Sequence, residues 1–252
     1  MNSFEHITGE IYRLKVPFYS VYTSVFVIVS GASTVIFDSG SNETDVTGII
    51  LPALKNSGFV PSHIAISHHH DDHSGGVSAL AKAFPSAVIY AFGDELGEIY
   101  SDIYYHRFSD GDEICDGVEF LNLKGHTSDC GAIFDKRSKT LLSVDCFQLC
   151  GINKYGCGVI LGADYLKSID RILKTDVENI IASHEYVPLG AAAFGRENTE
   201  KYLTECRNYF EKIGIFVREH KNKKLEEIVT LYNRNSGLPP VPQGTFENFV
   251  DF

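Results

Sequence analysis

Residues 67–76 read Ser-His-His-His-Asp-Asp-His-Ser-Gly-Gly, which places His68, His70, Asp72 and His73 within six residues. Neutral imidazole and carboxylate are the side chains that hold Zn²⁺, Fe²⁺ or Mn²⁺. A polar turn that only caps a helix needs one such residue, and Asp72 or Ser74 would suffice for that. Side chains at a strand end alternate between faces, so His68 and His70 share a side and His69 points away. Asp72 and His73 fall in the following turn, aimed at a second point a short distance off. The spacing predicts two metal ions.

The flanking residues say what positions this cluster. The apolar, β-branched run at 63–66 predicts a buried strand, and Gly75-Gly76 opens a helical pattern over 77–84. The cluster therefore lies on a strand-to-helix loop. Upstream, strands are predicted at 11–14, 24–29 and 33–37, the last ending in Asp38-Ser39-Gly40, followed by a helix over 43–56 that stops at Gly58. A further strand is predicted at 87–91. From residue 110 the texture changes to short strands at 118–123, 132–135 and 140–144, then a helix over 164–174 and a strand at 180–183. Helices over 197–212 and 225–233 complete the pattern.

Polar residues follow three of these strands: His126, Asp145 and His184. Added to the first cluster they make seven candidate ligands. One ion would take His68, His70 and His126, the other Asp72, His73 and His184, with Asp145 bridging them.

Composition narrows the setting. The 252 residues, 44% hydrophobic, can bury one large core, and 22 basic against 33 acidic side chains give a net charge of −11. That charge repels polyanions, so no nucleic-acid partner is expected, and the basic run Lys221-Asn222-Lys223-Lys224 reads as a solvated helix start. No signal region or membrane-length apolar run is read, so the expectation is a cytoplasmic protein acting on a small molecule away from membranes, with a homo-oligomer left open. Cys115, Cys130, Cys146, Cys150, Cys157 and Cys206 are expected as thiols. Cys146, Cys150 and Cys157 lack Cys-x₂-Cys spacing and read as small core residues rather than a thiolate metal site.

The Ser-His-His-His-Asp-Asp-His-Ser-Gly-Gly run, Gly125-His126-Thr127, Val144-Asp145 and Ser183-His184, in that order, resemble the signature of the metallo-β-lactamase-fold hydrolases. The match runs from Asp38 to Tyr186. It implies an α/β protein, an αββα sandwich with a dinuclear site at the edge between two sheets. Residues 1–195 would form the catalytic domain and 196–252 a helical extension packed on it. The resemblance gives Asp38 the role of supporting a ligand from behind. β-Lactamases of this fold carry Cys or Ser where this chain has Asp145, which argues against antibiotic hydrolysis.

Within the fold, His184-Glu185-Tyr186 and the interval from Asp145 to His184 are similar to the glyoxalase II (hydroxyacylglutathione hydrolase) branch. That likeness implies substrate contacts from Lys154, Tyr155 and Tyr186. Residues 151–156, Gly-Ile-Asn-Lys-Tyr-Gly, depart from that branch's Gly-Cys-Gly-Lys-Phe-Tyr, and a C-terminal Arg and Lys pair for the glycyl carboxylate is missing. A lactonase's tyrosine after the bridging aspartate is replaced by Phe147 and Gln148. The implied cofactor is a pair of divalent ions, Zn²⁺ first, with Fe²⁺ or Mn²⁺ compatible. The implied chemistry is a hydroxide, oriented by Asp72 and Asp145, attacking a thioester, ester or lactone carbonyl. The alternatives are a mononuclear non-haem iron persulfide dioxygenase and, without a basic stripe to support it, a phosphodiesterase.

Overall fold

Alternation along two adjacent strands sets the layers. On β3 (Val21–Ser30), Phe26 and Ile28 face one apolar cluster while Val25 and Val27 face another. On β4 (Ser33–Phe37), Val35 and Phe37 join the first and Ile36 the second. A sheet with successive side chains buried on opposite faces must be covered on both sides. Here one side is covered by helices and the other by a second sheet. The computed structural model describes residues 3–153, 156 and 158–250.

The first sheet runs in chain order from β1 (Glu5–Thr8) and β2 (Ile11–Phe18) through β3 and β4 to β5 (His63–Ala65), β6 (Val88–Ala91) and β7 (His106–Arg107). It is antiparallel up to β4 and parallel from β4 to β7. The second sheet has the order β13-β12-β11-β10-β9-β8, with β8 Glu113–Cys115, β9 Val118–Asn122, β10 Gly131–Asp135, β11 Thr140–Val144, β12 Asn179–Tyr186 and β13 Gly190–Ala193. Between the sheets, Phe120 stacks on Phe108 at 4.1 Å and meets Phe92 edge-on at 4.3 Å.

The predicted helix over 43–56 forms as α1 (Glu43–Asp45), a π turn at Val46–Ile50 and α2 (Leu51–Ser57), and Gly58 ends it with φ +73°. Asn42 caps its start through Oδ1, which accepts from the amides of Thr44 and Asp45. A short α3 (Asp71–Ser74) and then α4 (Val77–Ala83) follow β5, and α5 (Glu95–Ile99) follows β6. α6 (Gly162–Leu173) and the long α7 (Arg196–Glu219) cover the outer face of the second sheet through Tyr165, Ile169, Tyr202, Leu203 and Phe210. α8 (Leu225–Ser236) and α9 (Gln243–Glu247) close a smaller cluster with the end of α7, around Ile213, Ile228 and Phe246.

The layers are those expected from the sequence, helix on sheet on sheet on helix. Two local expectations are corrected. Asp72 and His73 stand on the single helical turn α3, because the amides of His73 and Ser74 reach back to the carbonyl of His70. His184 lies inside β12 rather than at its end, since that strand continues to Tyr186. Among the described residues no helix is long and apolar enough to cross a membrane.

Candidate metal centre

The parallel strands deliver their C-terminal ends to one edge. Asp38 follows β4, the His68–His73 segment follows β5, His126 lies beyond β9, and Asp145 follows β11. Asp145 is carried there by Val144, which has φ +43°, a strained backbone for a β-branched residue. Gly75 and Gly76 bring the segment after Asp38 close under α3. A Cβ on Gly75 would lie 2.0 Å from the Ser41 carbonyl oxygen, and one on Gly76 2.2 Å from that of Ser39. The Ser39 amide can thus reach the His73 carbonyl at 2.8 Å.

All seven sequence-predicted ligands meet at this edge. His68, His70 and His126 form one cluster, Asp72, His73 and His184 a second, and Asp145 joins His68 and His73 in a third, with the ligand atoms within each no more than 4.8 Å apart. Asp145 Oδ2 lies 3.7 Å from His73 Nε2, 3.7 Å from His126 Nε2 and 3.4 Å from His184 Nε2, between the two triads. His69 turns away, its Nδ1 2.9 Å from Asp129 Oδ1.

Outward hydrogen bonds fix the imidazoles. His126 Nδ1–H donates to the Gly158 carbonyl at 2.7 Å, His184 Nδ1–H to that of Tyr22 at 2.7 Å, and His73 Nδ1–H to Asp38 Oδ2 at 2.7 Å. Ser67 Oγ–H donates to Asp38 Oδ2 at 3.0 Å, which leaves Ser67 Oγ to accept from His68 Nδ1–H at 2.9 Å. Each of these four rings therefore turns Nε2 to the centre, where it offers a lone pair whenever the ring is neutral. Asp38, held at φ +69°, also accepts the Ser67 amide through Oδ1 at 2.8 Å, so one buried carboxylate braces two rings.

The donor set fits divalent cations. His68 Nε2 and His126 Nε2 stand 3.1 and 3.0 Å from His70 Nδ1; one proton on His70 Nδ1 can serve only one of them, whereas a cation among the three serves all. His73 Nε2 and Asp145 Oδ1 are buried without a hydrogen-bond partner. Buried polar atoms left bare in this way are costly, and a cation satisfies them together.

Electrostatics separates the two triads. Burial, then the crowding imidazoles of His126 and His73, push His70 down to about 3, and burial with its imidazole neighbours pushes His68 well below its ordinary value. Burial also works against a proton on His184, but Asp145 and Asp72 outweigh it and hold that ring at about 10. His73 is raised in the same way, against burial, by Asp72, Asp38 and Asp145. Burial would raise Asp72 and Asp145, yet the imidazoles of His73 and His184 keep both below the usual carboxylate range. Without a cation, protons on His73 and His184 thus balance the two carboxylates.

The centre forms the floor of a cavity of about 430 Å³, reached through His70, Asp72, His126, Asp145 and His184, while His68 and His73 lie beneath. Tyr186, expected at the substrate, lines this cavity. Lys154, Tyr155 and Cys157 lie outside the described residues. Cys146 and Cys150 are buried, and the Cys146 thiol packs 3.2 Å from that of Cys130.

Sequence reading missed Gln148 as a site residue. Its Nε2 donates to Asp145 Oδ2 at 3.3 Å and its Oε1 accepts the Gly158 amide at 2.8 Å, tying the carboxylate to the cavity wall. The available signal was one polar residue inside the apolar run Cys146-Phe147-Gln148-Leu149-Cys150.

Known proteins resemble this chain in sequence or in fold. A hydroxyacylglutathione hydrolase of Xylella fastidiosa (strain 9a5c) is 31% identical over 158 residues, covering 58% of this chain and 56% of that protein. An atrochrysone carboxyl ACP thioesterase of Passalora fulva is 28% identical over 107 residues, covering 42% of this chain and 32% of that protein. The chain thus matches only about a third to a little over half the length of these relatives. A metallo-beta-lactamase from Pontibacter korlensis superposes with a TM-score of 0.63 at 14% identity, covering 82% of this chain and 100% of that one, a likeness of fold. The profile described as the metallo-beta-lactamase superfamily matches residues 19–184, a span that holds Asp38 and all seven converging side chains, and the chain belongs to that superfamily.

Proposed function

We propose that this protein is a metal-dependent hydrolase that cleaves a thioester, ester or lactone carbonyl of a small metabolite with water. One observation carries the reading: two imidazole-rich triads share the buried Asp145 on the floor of a single cavity. Hydroxyacylglutathione hydrolase and carboxyl ACP thioesterase, the names of the two relatives, agree with an acyl substrate. His68, His70 and His126 would hold one ion, Asp72, His73 and His184 the other, with Asp145 between them. Zn²⁺ is the proposed metal, and this nitrogen and oxygen donor set also suits Fe²⁺ or Mn²⁺. Such ions supply Lewis-acid activation of water and a counter-charge for the carbonyl oxygen.

The chain's own residues do the rest. Asp72 and Asp145, kept ionised, accept hydrogen bonds from the attacking water and orient it toward the carbonyl. The backbone carbonyls of Tyr22 and Gly158 hold His184 and His126 in one tautomer, so the rings need not reorganise during the reaction. Above these groups the cavity is lined by apolar side chains, Phe18, Val21, Ile152 and Ile160 among them.

The test is a panel of thioesters, lactones and phosphodiesters with metal-reconstituted protein. Carbonyl substrates are expected to dominate, and His68→Ala is expected to abolish turnover with an unchanged circular dichroism spectrum. Bis-p-nitrophenyl phosphate cleaved well above the thioesters would refute the reading. So would one iron per chain with oxygen uptake on glutathione persulfide.

A further inference from the structure

Above the imidazoles and carboxylates the cavity wall is apolar, and three distant parts of the chain build it. The β2–β3 hairpin supplies Phe18 and Val21, the 151–160 loop supplies Ile152 and Ile160, and the C-terminal segment supplies Pro242. These parts are tied together. Asn153 Nδ2 donates to the Ser20 carbonyl at 2.7 Å, the Val159 amide to Thr245 Oγ1 at 3.0 Å, and Asn248 Nδ2 to the Val159 carbonyl at 2.8 Å. Gly156 lets the loop lie directly on the C-terminal segment, since a Cβ there would fall 1.6 Å from the Pro240 oxygen. The wall is therefore a built surface.

Its uncharged polar side chains are Gln148, Thr245 and the buried Tyr186. Gln148 serves Asp145 and Gly158, and Thr245 serves Val159. Apart from the histidines and aspartates of the centre, Glu185 is the one charged residue among the described lining residues, and it is exposed at the rim. A hydroxylated or anionic acyl group gains little here, whereas methylene groups replace water against carbon.

We propose that this cavity receives the acyl part of the substrate, and that this part is an uncharged, unsubstituted aliphatic chain. The proposal rests on the hydrolase reading above. In the reaction, the oxygen of water bonds to the carbonyl carbon, the carbon–sulfur bond of a thioester breaks, and the thiol leaves with a proton, giving acid and thiol. Each methylene that enters the wall favours binding by about fourfold.

The experiment uses the full, metal-reconstituted chain with N-acetylcysteamine thioesters from acetyl to octanoyl, and S-lactoylglutathione beside them. The expected result is kcat/KM rising by about fourfold per methylene over the first members, with hexanoyl well above lactoylglutathione. Ile160→Asp, at a position 55% exposed and so tolerant of charge, is expected to flatten that rise. A flat or falling series, or a preference for lactoylglutathione over hexanoyl, overturns the inference. Calorimetry with uncleaved N-alkylacetamides separates the two readings. Affinity that grows with chain length in a protein that hydrolyses none of the thioesters keeps the apolar site and sinks the hydrolase, while affinity independent of chain length sinks the site.

Discussion

Replacing Asp38 with Asn tests how the centre is braced. Asn adopts the φ of +69° found at this position as readily as Asp, so the backbone is preserved. The carboxylate now accepts three hydrogen bonds, from the Ser67 amide at 2.8 Å, Ser67 Oγ at 3.0 Å and His73 Nδ1 at 2.7 Å. An amide has one accepting oxygen, so either orientation sets its NH₂ against a donor. Keeping the Ser67 amide bond turns the NH₂ toward His73, which must then carry its proton on Nε2 and withdraw its lone pair from the centre. Loss of such a supporting partner weakens metal binding by about 10- to 100-fold, or roughly 1.4–2.8 kcal/mol. Competition against a chromophoric chelator reads the affinity, and nitrogen NMR of His73 reads the tautomer. Wild-type affinity with the His73 proton still on Nδ1 would refute the argument.

Metal uptake is expected to release protons, because His184 at about 10 and the raised His73 both bear them in the metal-free protein at neutral pH. Affinity should therefore rise as pH rises through neutrality, and binding heats should differ between buffers of different ionisation enthalpy; equal heats would sink this. His69→Ala should leave metal stoichiometry unchanged, since that ring faces Asp129, whereas His68→Ala should lower it, both read by elemental analysis. Phe120→Ala removes a fully buried ring from between Phe92 and Phe108 and should destabilise the fold by about 3–5 kcal/mol in denaturant titration.

Much of this was legible in the sequence because it is local. The 33–37 strand, the Gly58 stop and the alternation that turns His69 away from His68 and His70 depend on neighbours a few residues apart. The segment around Asp72, expected as a turn, is one helical turn, because that choice rests on backbone bonds to His70 that leave no mark in residue types. Gln148 and the wall residues Phe18, Val21, Ile160 and Pro242 went unread for a different reason. Each looks like an ordinary core or surface position until the hairpin, the loop and the C-terminal segment are brought together.

The sequence by itself determined the donor chemistry, since only residue type decides that imidazole and carboxylate are present, and the short spacings within 67–76 and around His126 and Asp145 place them beside strands. Tertiary structure decided how they group. His68 meets His126, and Asp72 meets His184, only because two separately twisted sheets stack with their strand ends at a common edge. It also decided which ring nitrogen faces inward, because the outward partners Tyr22, Gly158 and Asp38 come from other elements. Distances between residues more than a hundred positions apart are set by packing, and the cavity above the centre exists only once that packing is complete.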